Sequence, residues 1–365
     1  MPETHAARRT ALRALLTDAG LDALLVTDLL NIRYLTGFTG SNAALLLHAE
    51  LDDRTAFCTD GRYTTQSSVE VPDLKRVLDR ASAAAMIRHG SALPNLYRRV
   101  GFESQHVSVE QFEKLDDLAE GLELTRAPGL VERLRLVKDE VEVDALRRAC
   151  AVADRALADL IESGGIRPGR TEREVARELE SRMLDHGSSG PSFESIVAAG
   201  TNSAIPHHRP TDAVLATGDF LKLDFGATVD GYHSDMTRTL VLGAPADWQR
   251  EVYELVRRSQ AAGRDALAPG ADVTEVDAAA RTVIDEAGYG AEFAHGLGHG
   301  VGLQVHEAPS LAATGAGTLS AGMAVTVEPG VYLAGRGGVR IEDTLVVRDG
   351  TPELLTLSSK ELVVV

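Results

Sequence analysis

The second half of the chain contains an internal repeat, and this feature restricts the possible folds more than any other. Pro-Gly pairs at 168–169 and 269–270 align at an offset of 101 residues, and Glu-Val pairs at 174–175 and 275–276 keep that offset. Each copy continues with a glycine-rich stretch, a histidine, a predicted strand that carries an acid, and a strand that reads Thr-Leu-Val. Four features in one order predict a duplicated helix-plus-sheet unit. Two such units, related by a pseudo-twofold axis, would pack their sheets together and place equivalent acids near that axis.

The pattern before the repeat predicts a smaller domain. A chain of 365 residues is long enough for two domains of about 150 residues each. A predicted helix from Ala7 to Ala19 precedes short apolar runs, typical of buried strands, at Ala23–Val26, Ala43–Leu47 and Ala56–Cys58. Apolar residues at alternating spacings of three and four then predict one long helix from Leu134 to Ile161. We therefore expect an N-terminal α/β domain over 1–130 and a second domain over 131–365.

Composition disfavours several functional classes. Asp and Glu total 54 against 37 Lys and Arg, a formal net charge of −17, which argues against binding to nucleic acid or anionic membranes. Cys58 and Cys150 lie far apart without a CxxC spacing, so neither a disulfide framework nor a thiolate metal site is supported. No secretory signal follows the basic N-terminus, and no uncharged apolar run approaches the roughly 20 residues that span a bilayer. We expect a cytoplasmic protein.

Four acids occupy predicted strands of the repeat. Asp224 lies in an apolar run, and Asp235 follows eleven residues later, so a hairpin would bring the two together. In the second copy, Glu328 and Glu342 lie in comparable runs. Buried ionised carboxylates lose several kcal/mol of solvation and repel one another, so a positive charge should compensate them. Two divalent ions would balance four carboxylates.

Histidines cluster in the same region. Six of the eleven fall within one hundred residues: His207, His208, His233, His295, His299 and His306. Oxygen ligands with one imidazole suit Mn²⁺, Co²⁺ or Zn²⁺. The sequence has no HExxH, Walker A or GxSxG motif, which disfavours a helical zinc peptidase, a nucleotide hydrolase and a serine hydrolase. The spacing alone leaves another interpretation open, in which the acids serve solubility and each histidine is satisfied individually.

Together these residues resemble a known family, the pita-bread metallopeptidases, and within it the Xaa-Pro peptidases (prolidases and aminopeptidases P). The motifs that carry the resemblance are Asp224–Ala227, Asp235–Thr239, His295–Gly300, Val305–Glu307, Val327–Gly330 and Gly338–Asp343. Asn31–Ser41 and Thr59–Tyr63 resemble the N-terminal domain of that group. The resemblance implies an α+β pita-bread catalytic domain with an internal pseudo-twofold repeat, preceded by a smaller α/β domain.

The resemblance also implies the metal ligands. Two divalent ions per chain, with Mn²⁺ expected and Co²⁺ or Zn²⁺ as alternatives, would be bound by Asp224, Asp235, His299, Glu328 and Glu342. Asp235 and Glu342 would bridge the ions. All five residues are present in the sequence, which argues against the metal-free members of the fold.

Further roles follow from the same resemblance. Glu328 would also carry a proton, and His306 would help to stabilise the oxyanion. His207 would hold or protonate the leaving nitrogen, a task for a group that titrates near neutrality. His295 would shape the proline pocket. Arg340 would steady the carboxylate network or bind the carboxyl end of the substrate.

We therefore expect a dinuclear-metal peptidase that hydrolyses Xaa-Pro bonds in proline-containing di- or oligopeptides. The compact length and the His-Gly-Leu-Gly-His-Gly-Val-Gly form favour a dipeptidase; an aminopeptidase P acting on longer peptides is the alternative. The N-terminal domain argues against a methionine aminopeptidase. A non-catalytic pita-bread binding protein is the alternative from a different class. The family resemblance also implies a homodimer.

Overall fold

The computed structural model describes residues 2–365, and the chain divides into two compact units, Met1–Arg135 and Leu136–Val365. The division lies a few residues beyond the predicted position, because a short helix at Leu130–Arg135 packs against the N-terminal helix at Pro2–Asp18. Within the described residues, no helix combines the length and apolarity needed to cross a membrane.

The first unit is a six-stranded sheet with helices. The strands are β1 (Ala23–Val26), β2 (Ala43–His48), β3 (Ala56–Thr59), β4 (Lys75–Leu78), β5 (Arg99–Phe102) and β6 (Glu123–Arg126). Their order is β4-β3-β2-β1-β5-β6, and β2 runs antiparallel to both neighbours while the other pairs are parallel. The helices are α1 (Pro2–Asp18), α2 (Leu29–Thr36), α3 (Thr64–Glu70), α4 (Ser82–Ser91), α5 (Val109–Asp116) and α6 (Leu130–Arg135). The three predicted apolar runs form the buried strands β1, β2 and β3.

The predicted single helix from Leu134 to Ile161 is wrong at its start. The structure has α6 and then a separate α7 (Glu140–Glu162). Between them Val137 forms a β-bridge with Met323. Asp139 then accepts a hydrogen bond from the backbone of Glu142, whose side chain accepts from the Asp139 backbone in return, and this capping box begins the new helix.

The second unit contains two sheets and two short ribbons. Its other helices are α8 (Glu172–Asp185), α9 (Asp247–Asp265) and α10 (Val273–Glu286). The strands of the first half are β7 (Ile196–Ala199), β8 (Phe220–Phe225), β9 (Thr228–Val229), β10 (Tyr232–His233) and β11 (Met236–Val241). Those of the second half are β12 (Gly298–Gly300), β13 (Glu307–Leu311), β14 (Ala324–Val327), β15 (Gly330–Leu333), β16 (Gly337–Arg340), β17 (Asp343–Val346) and β18 (Glu353–Leu354). The sheets are ordered β11-β8-β7 and β13-β12-β14-β17-β18, and the ribbons are β9-β10 and β15-β16.

The predicted duplication is present in this unit. The helices α8 and α10, which follow the two Pro-Gly pairs, both contain 14 residues. Each belongs to its own core: α8 contributes Val175 and Leu179 to one cluster with β8, and α10 contributes Val276 and Ile284 to the other with β14. Fully burying such a side chain stabilises the fold by roughly 1.5–3 kcal/mol. Each half therefore has its own helix-on-sheet core.

Hydrogen bonds join the two halves beside the predicted ligands. The backbone N–H of Glu342 donates to the carbonyl of Thr237 (3.1 Å). The Thr237 hydroxyl donates to the Glu342 carboxylate (2.6 Å), and the Thr344 hydroxyl donates to the carbonyl of Asp235 (2.8 Å). The strands β11 and β17 are thus linked where each half carries an acid.

Candidate metal centre and active site

The five predicted ligands line one cavity of about 260 Å³ in the second unit. Asp224 is the penultimate residue of β8, and His299 is the central residue of β12. The other three stand at strand ends: Asp235 precedes β11, Glu328 follows β14, and Glu342 precedes β17. His207, His306 and Arg340 line the same cavity. The structure therefore brings together residues from both copies of the repeat.

Antiparallel pairing places Asp224 beside the hydrogen bonds that join the two halves of the second unit. The strands β8 and β11 pair with Asp224 opposite Thr237, so these two side chains lie on one face of the sheet. Asp235 is two residues before Thr237, as the predicted hairpin requires. Because Thr237 also contacts Glu342, three of the acids are brought into one network.

Glycines around His299 allow its strand to fit between its neighbours. A Cβ atom on Gly298 would lie 2.1 Å from the carbonyl oxygen of Thr326, and one on Gly300 would lie 2.1 Å from that of Ala308. Any side chain would therefore collide with the backbone of β14 or β13. The alternating glycines of the sequence are explained by this close approach at 298 and 300.

The ring of His299 is oriented as a metal ligand. Its Nδ1 lies 3.1 Å from the carbonyl oxygen of Gly300, which can only accept, so Nδ1 carries the proton. Nε2 then presents a lone pair 3.4 Å from a Glu328 oxygen and 3.6 Å from an Asp235 oxygen. Burial lowers the pKa of His299 to about 4, which keeps the ring neutral. Three ligand groups that face one another in this way fit a bound cation.

The carboxylates around His299 also fit a bound cation. Burial, followed by repulsion from neighbouring carboxylates, raises the pKa of Asp235 and Glu342 well above the usual range. Burial also raises the pKa of Glu328 to about 8, although Arg340 opposes the shift. One oxygen of Asp224 is buried without a hydrogen-bond partner in the described structure. An arrangement this costly needs positive charge beside it.

The donor set fits divalent metal ions. Asp235, His299 and Glu342 can each offer one ligand atom within 4.8 Å of the others. Carboxylate oxygens with one neutral imidazole are ligands for hard or borderline divalent ions. Glu328 and Asp224 complete the set on the wall of the same cavity.

Arg340 is a buried residue that holds this cluster in place. Its Nε donates to the Thr237 hydroxyl (3.0 Å), and Nη1 donates to the Tyr332 hydroxyl (2.8 Å) and to the Pro206 carbonyl (3.2 Å). Nη2 donates to the carboxylate of Asp224. These contacts favour the first of its two predicted roles, support of the carboxylate network.

The predicted histidines occupy different positions around the cavity. His207 and His306 are exposed on its wall, and the His306 ring meets the His299 ring edge-on at 4.4 Å. His295 is buried deeper: its Nδ1 donates to the Gly296 carbonyl (2.8 Å), and its Nε2 lies 2.8 Å from the Tyr332 hydroxyl. Because the described cavity lining does not include His295, its part in a proline pocket stays a prediction.

Several residues of the site were not singled out from the sequence. Tyr332 links His295 to Arg340, and its motif gives no sign of this. Lys222 shares a face with Asp224, which the period-two alternation of a strand could have indicated. The cavity wall also includes Phe193, Glu194, Ile196 and Arg209, together with His208 and Val305, to which the sequence analysis gives no role. These residues come from loops and strand ends whose approach the sequence does not specify.

Comparison with family models decides the family. The model described as metallopeptidase family M24 matches residues 144–349, and that of the creatinase/prolidase N-terminal domain matches residues 8–137. The chain belongs to metallopeptidase family M24. Membership confirms the predicted family and its two-domain fold, and it implies hydrolysis that depends on divalent metal ions.

Relatives in family M24 match almost the whole chain. A Xaa-Pro dipeptidase of Pyrococcus horikoshii is 34% identical over 94% of this chain and 95% of the relative. Among solved structures, a Xaa-Pro dipeptidase from Bacillus anthracis has a TM-score of 0.93 at 38% identity, covering 99% of this chain and 100% of that one. An X-Pro aminopeptidase from Thermotoga maritima has a TM-score of 0.88 at 33% identity, covering 95% and 98%.

Proposed function

We propose that this protein is a Xaa-Pro dipeptidase that uses two divalent metal ions. The observation that carries the proposal is the convergence of three buried carboxylates, the partly buried Glu328 and a neutral imidazole on one cavity, with His207 and His306 on its wall. The Xaa-Pro dipeptidases of Pyrococcus horikoshii and Bacillus anthracis, which match nearly the full length, support the dipeptide substrate.

The ions would be held by Asp224, Asp235, His299, Glu328 and Glu342, which line one cavity. When bound, divalent ions polarise a scissile carbonyl and lower the pKa of a water molecule. We propose Mn²⁺ as the native ion, with Co²⁺ and Zn²⁺ as alternatives, because hard or borderline cations suit this donor set.

The chain's own residues then orient the substrate and move protons. His306, beside His299, would donate to the carbonyl oxygen as negative charge develops there. His207 would hold or protonate the proline nitrogen as it leaves. Glu328 would pass a proton from water towards that nitrogen. Arg340 keeps Asp224 and the Thr237 hydroxyl in place.

A proline nitrogen needs such a site because its amide has no N–H. A peptidase that binds substrate through that donor loses a contact, whereas one that protonates the leaving nitrogen does not depend on it. The X-Pro aminopeptidase from Thermotoga maritima makes an aminopeptidase the second candidate, since it shares the fold and differs in substrate length.

Hydrolysis of matched peptides tests the proposal. The protein, loaded with Mn²⁺, Co²⁺ or Zn²⁺, is assayed on Xaa-Pro, Xaa-Pro-Yaa and Xaa-Ala. We expect Xaa-Pro to be hydrolysed fastest. A chelator should abolish this activity, and added metal should restore it. Faster hydrolysis of Xaa-Pro-Yaa would instead identify an aminopeptidase.

Metal analysis adds a control. We expect Asp235→Asn to lose metal and activity, whereas Asp212→Asn, which changes an exposed acid paired with Arg173, should retain both. Less than one metal ion per chain, without hydrolysis in any metal, would favour a non-catalytic binding protein. We further propose a cytoplasmic homodimer, which a monomer mass in gel filtration would contradict.

A further inference from the structure

Lys222 is a buried lysine for which the proposed reaction has no assigned role. It lies on β8, paired with Ala198 of β7 and Thr239 of β11, and its side chain is fully buried. Since residues two apart on a strand share a face, Lys222 points to the same side as Asp224. A buried amine is costly, so its contacts should show what it stabilises.

The amino group of Lys222 bonds to the backbone just before His207. Nζ donates to the carbonyl oxygens of Ile205 (2.6 Å) and Pro206 (3.2 Å), and it lies 5.1 Å from the centre of the Tyr332 ring. The amino group has enough N–H donors for both bonds.

The Pro206 carbonyl accepts a second hydrogen bond, from Nη1 of Arg340 (3.2 Å). A carbonyl oxygen has two lone pairs, so both are used. This carbonyl belongs to the peptide bond that joins Pro206 to His207. Because the proline ring also fixes its own φ, the direction in which the chain enters His207 is set by the ring and by the hydrogen bonds to the Pro206 carbonyl.

The segment is anchored again directly after His207. The buried carboxylate of Glu172 lies 2.8 Å from Nε2 of His208 and accepts from the backbone N–H groups of Ala199 (2.8 Å) and Thr211 (2.9 Å). The imidazole of His207 itself is exposed on the cavity wall. Its position thus depends on the backbone contacts on either side of it.

We propose that Lys222 is a positioning residue for His207, acting through the carbonyl groups of Ile205 and Pro206. This inference rests on the proposed function, in which His207 serves the leaving nitrogen. Among the described residues, the hydrogen bonds of the Lys222 amino group go to these two carbonyl groups and not to a proposed metal ligand. Its main effect on hydrolysis should therefore pass through His207.

A double-mutant cycle tests this dependence. We expect Lys222→Met, which keeps the length and removes the amine, to lower kcat by roughly 10- to 100-fold, the loss typical of a misplaced catalytic group. KM and metal content should stay near the wild-type values. In a His207→Ala background, the same substitution should change kcat by less than about twofold, because coupled sites are not additive.

Lys360→Met is the matched control. It removes another amine of the same unit, one that bonds to Asp343 (2.7 Å) rather than to the His207 segment. Its effect should be the same with or without His207. If Lys222→Met lowers kcat equally in both backgrounds, or leaves kcat unchanged beside intact His207, the proposal is overturned.

A spectroscopic measurement separates this proposal from the proposed function. In protein with ¹³C-labelled histidine rings, the signal of His207 is assigned by its loss in His207→Ala. We expect Lys222→Met to shift or broaden that signal and to leave the signal of His186, a residue bonded to Asp159, unchanged. An unchanged His207 signal would refute the positioning role even in a protein without peptidase activity.

If Lys222→Met does not fold, Lys222→Gln replaces it in both experiments. The glutamine amide keeps one donor group at a shorter reach, so we expect a smaller loss of kcat and the same dependence on His207. A loss that is independent of His207, or a His207 signal at its wild-type position, again contradicts the proposal.

Discussion

Replacing Thr237 with valine should weaken metal binding while preserving side-chain shape. The buried hydroxyl donates to the carboxylate of Glu342 (2.6 Å) and accepts from Nε of Arg340 (3.0 Å). It therefore fixes a proposed metal ligand and connects it to the cation of the network. Partners of this kind typically contribute 10- to 100-fold to metal affinity, which corresponds to about 1.4–2.8 kcal/mol. We expect a loss in that range.

The same strand offers a matched control. Thr239 is also buried, and among the described residues its hydroxyl bonds to backbone groups of Arg340 alone, donating to the carbonyl (3.0 Å) and accepting from the N–H (3.2 Å). Thr239→Val should therefore lower the free energy of unfolding by about 1 kcal/mol without a comparable loss of metal affinity.

Titration calorimetry of the metal-free variants with Mn²⁺ measures the difference. Two results would contradict this prediction: Thr237→Val binds Mn²⁺ as tightly as the wild type, or Thr239→Val weakens Mn²⁺ binding by the same factor. Either result would mean that the hydroxyl of Thr237 does not orient Glu342.

Three further predictions concern stability and reactivity. Gly300→Ala should destabilise the protein by roughly 1–3 kcal/mol, the usual cost of overpacking, because the added Cβ would lie 2.1 Å from a carbonyl oxygen. Gly190→Ala is the control, since the space at its Cβ is open, and it should not destabilise the protein. Thermal unfolding compares the two variants. Burial raises the pKa of the Asp52 carboxyl, but two buried arginines paired with it outweigh this effect and lower the pKa. Asp52→Asn should therefore destabilise the first unit by about 1 kcal/mol at neutral pH. In unfolding curves that difference should decline as pH falls below the unfolded pKa of about 3.9 and disappear once pH is below the lowered pKa of the folded protein. Cys58 and Cys150 should resist a thiol reagent until the protein is denatured, since burial raises both pKa values, that of Cys58 to about 11.

The sequence predicts the elements whose patterns are local. The apolar runs of β1 to β3 and the helices that follow the two Pro-Gly pairs appear where expected. The break between α6 and α7 was missed because its cause is a β-bridge from Val137 to Met323, a contact far away in sequence. Apolar periodicity cannot show such a contact.

The candidate site divides in a similar way. Acids in apolar strands and the glycine-flanked His299 are visible in the sequence, because buried charge and missing side chains are unusual there. The residues that hold these ligands in place are not visible in the sequence. Thr237, Tyr332 and Lys222 are ordinary strand residues until the fold brings each against a distant partner: Glu342, His295 or the carbonyl groups before His207.

The charge of the site differs from that of the chain. The net charge of −17 would repel a peptide carboxylate, yet in the proposed centre two divalent ions would balance the four carboxylates, to one of which the guanidinium of Arg340 donates. Burial is the main cause that lowers the pKa of Lys222 to about 6, and the charge of Arg340 adds to this shift. That lysine therefore adds little charge at neutral pH. The loaded centre would therefore lack the negative charge of the chain as a whole, and a substrate carboxylate would not be repelled there.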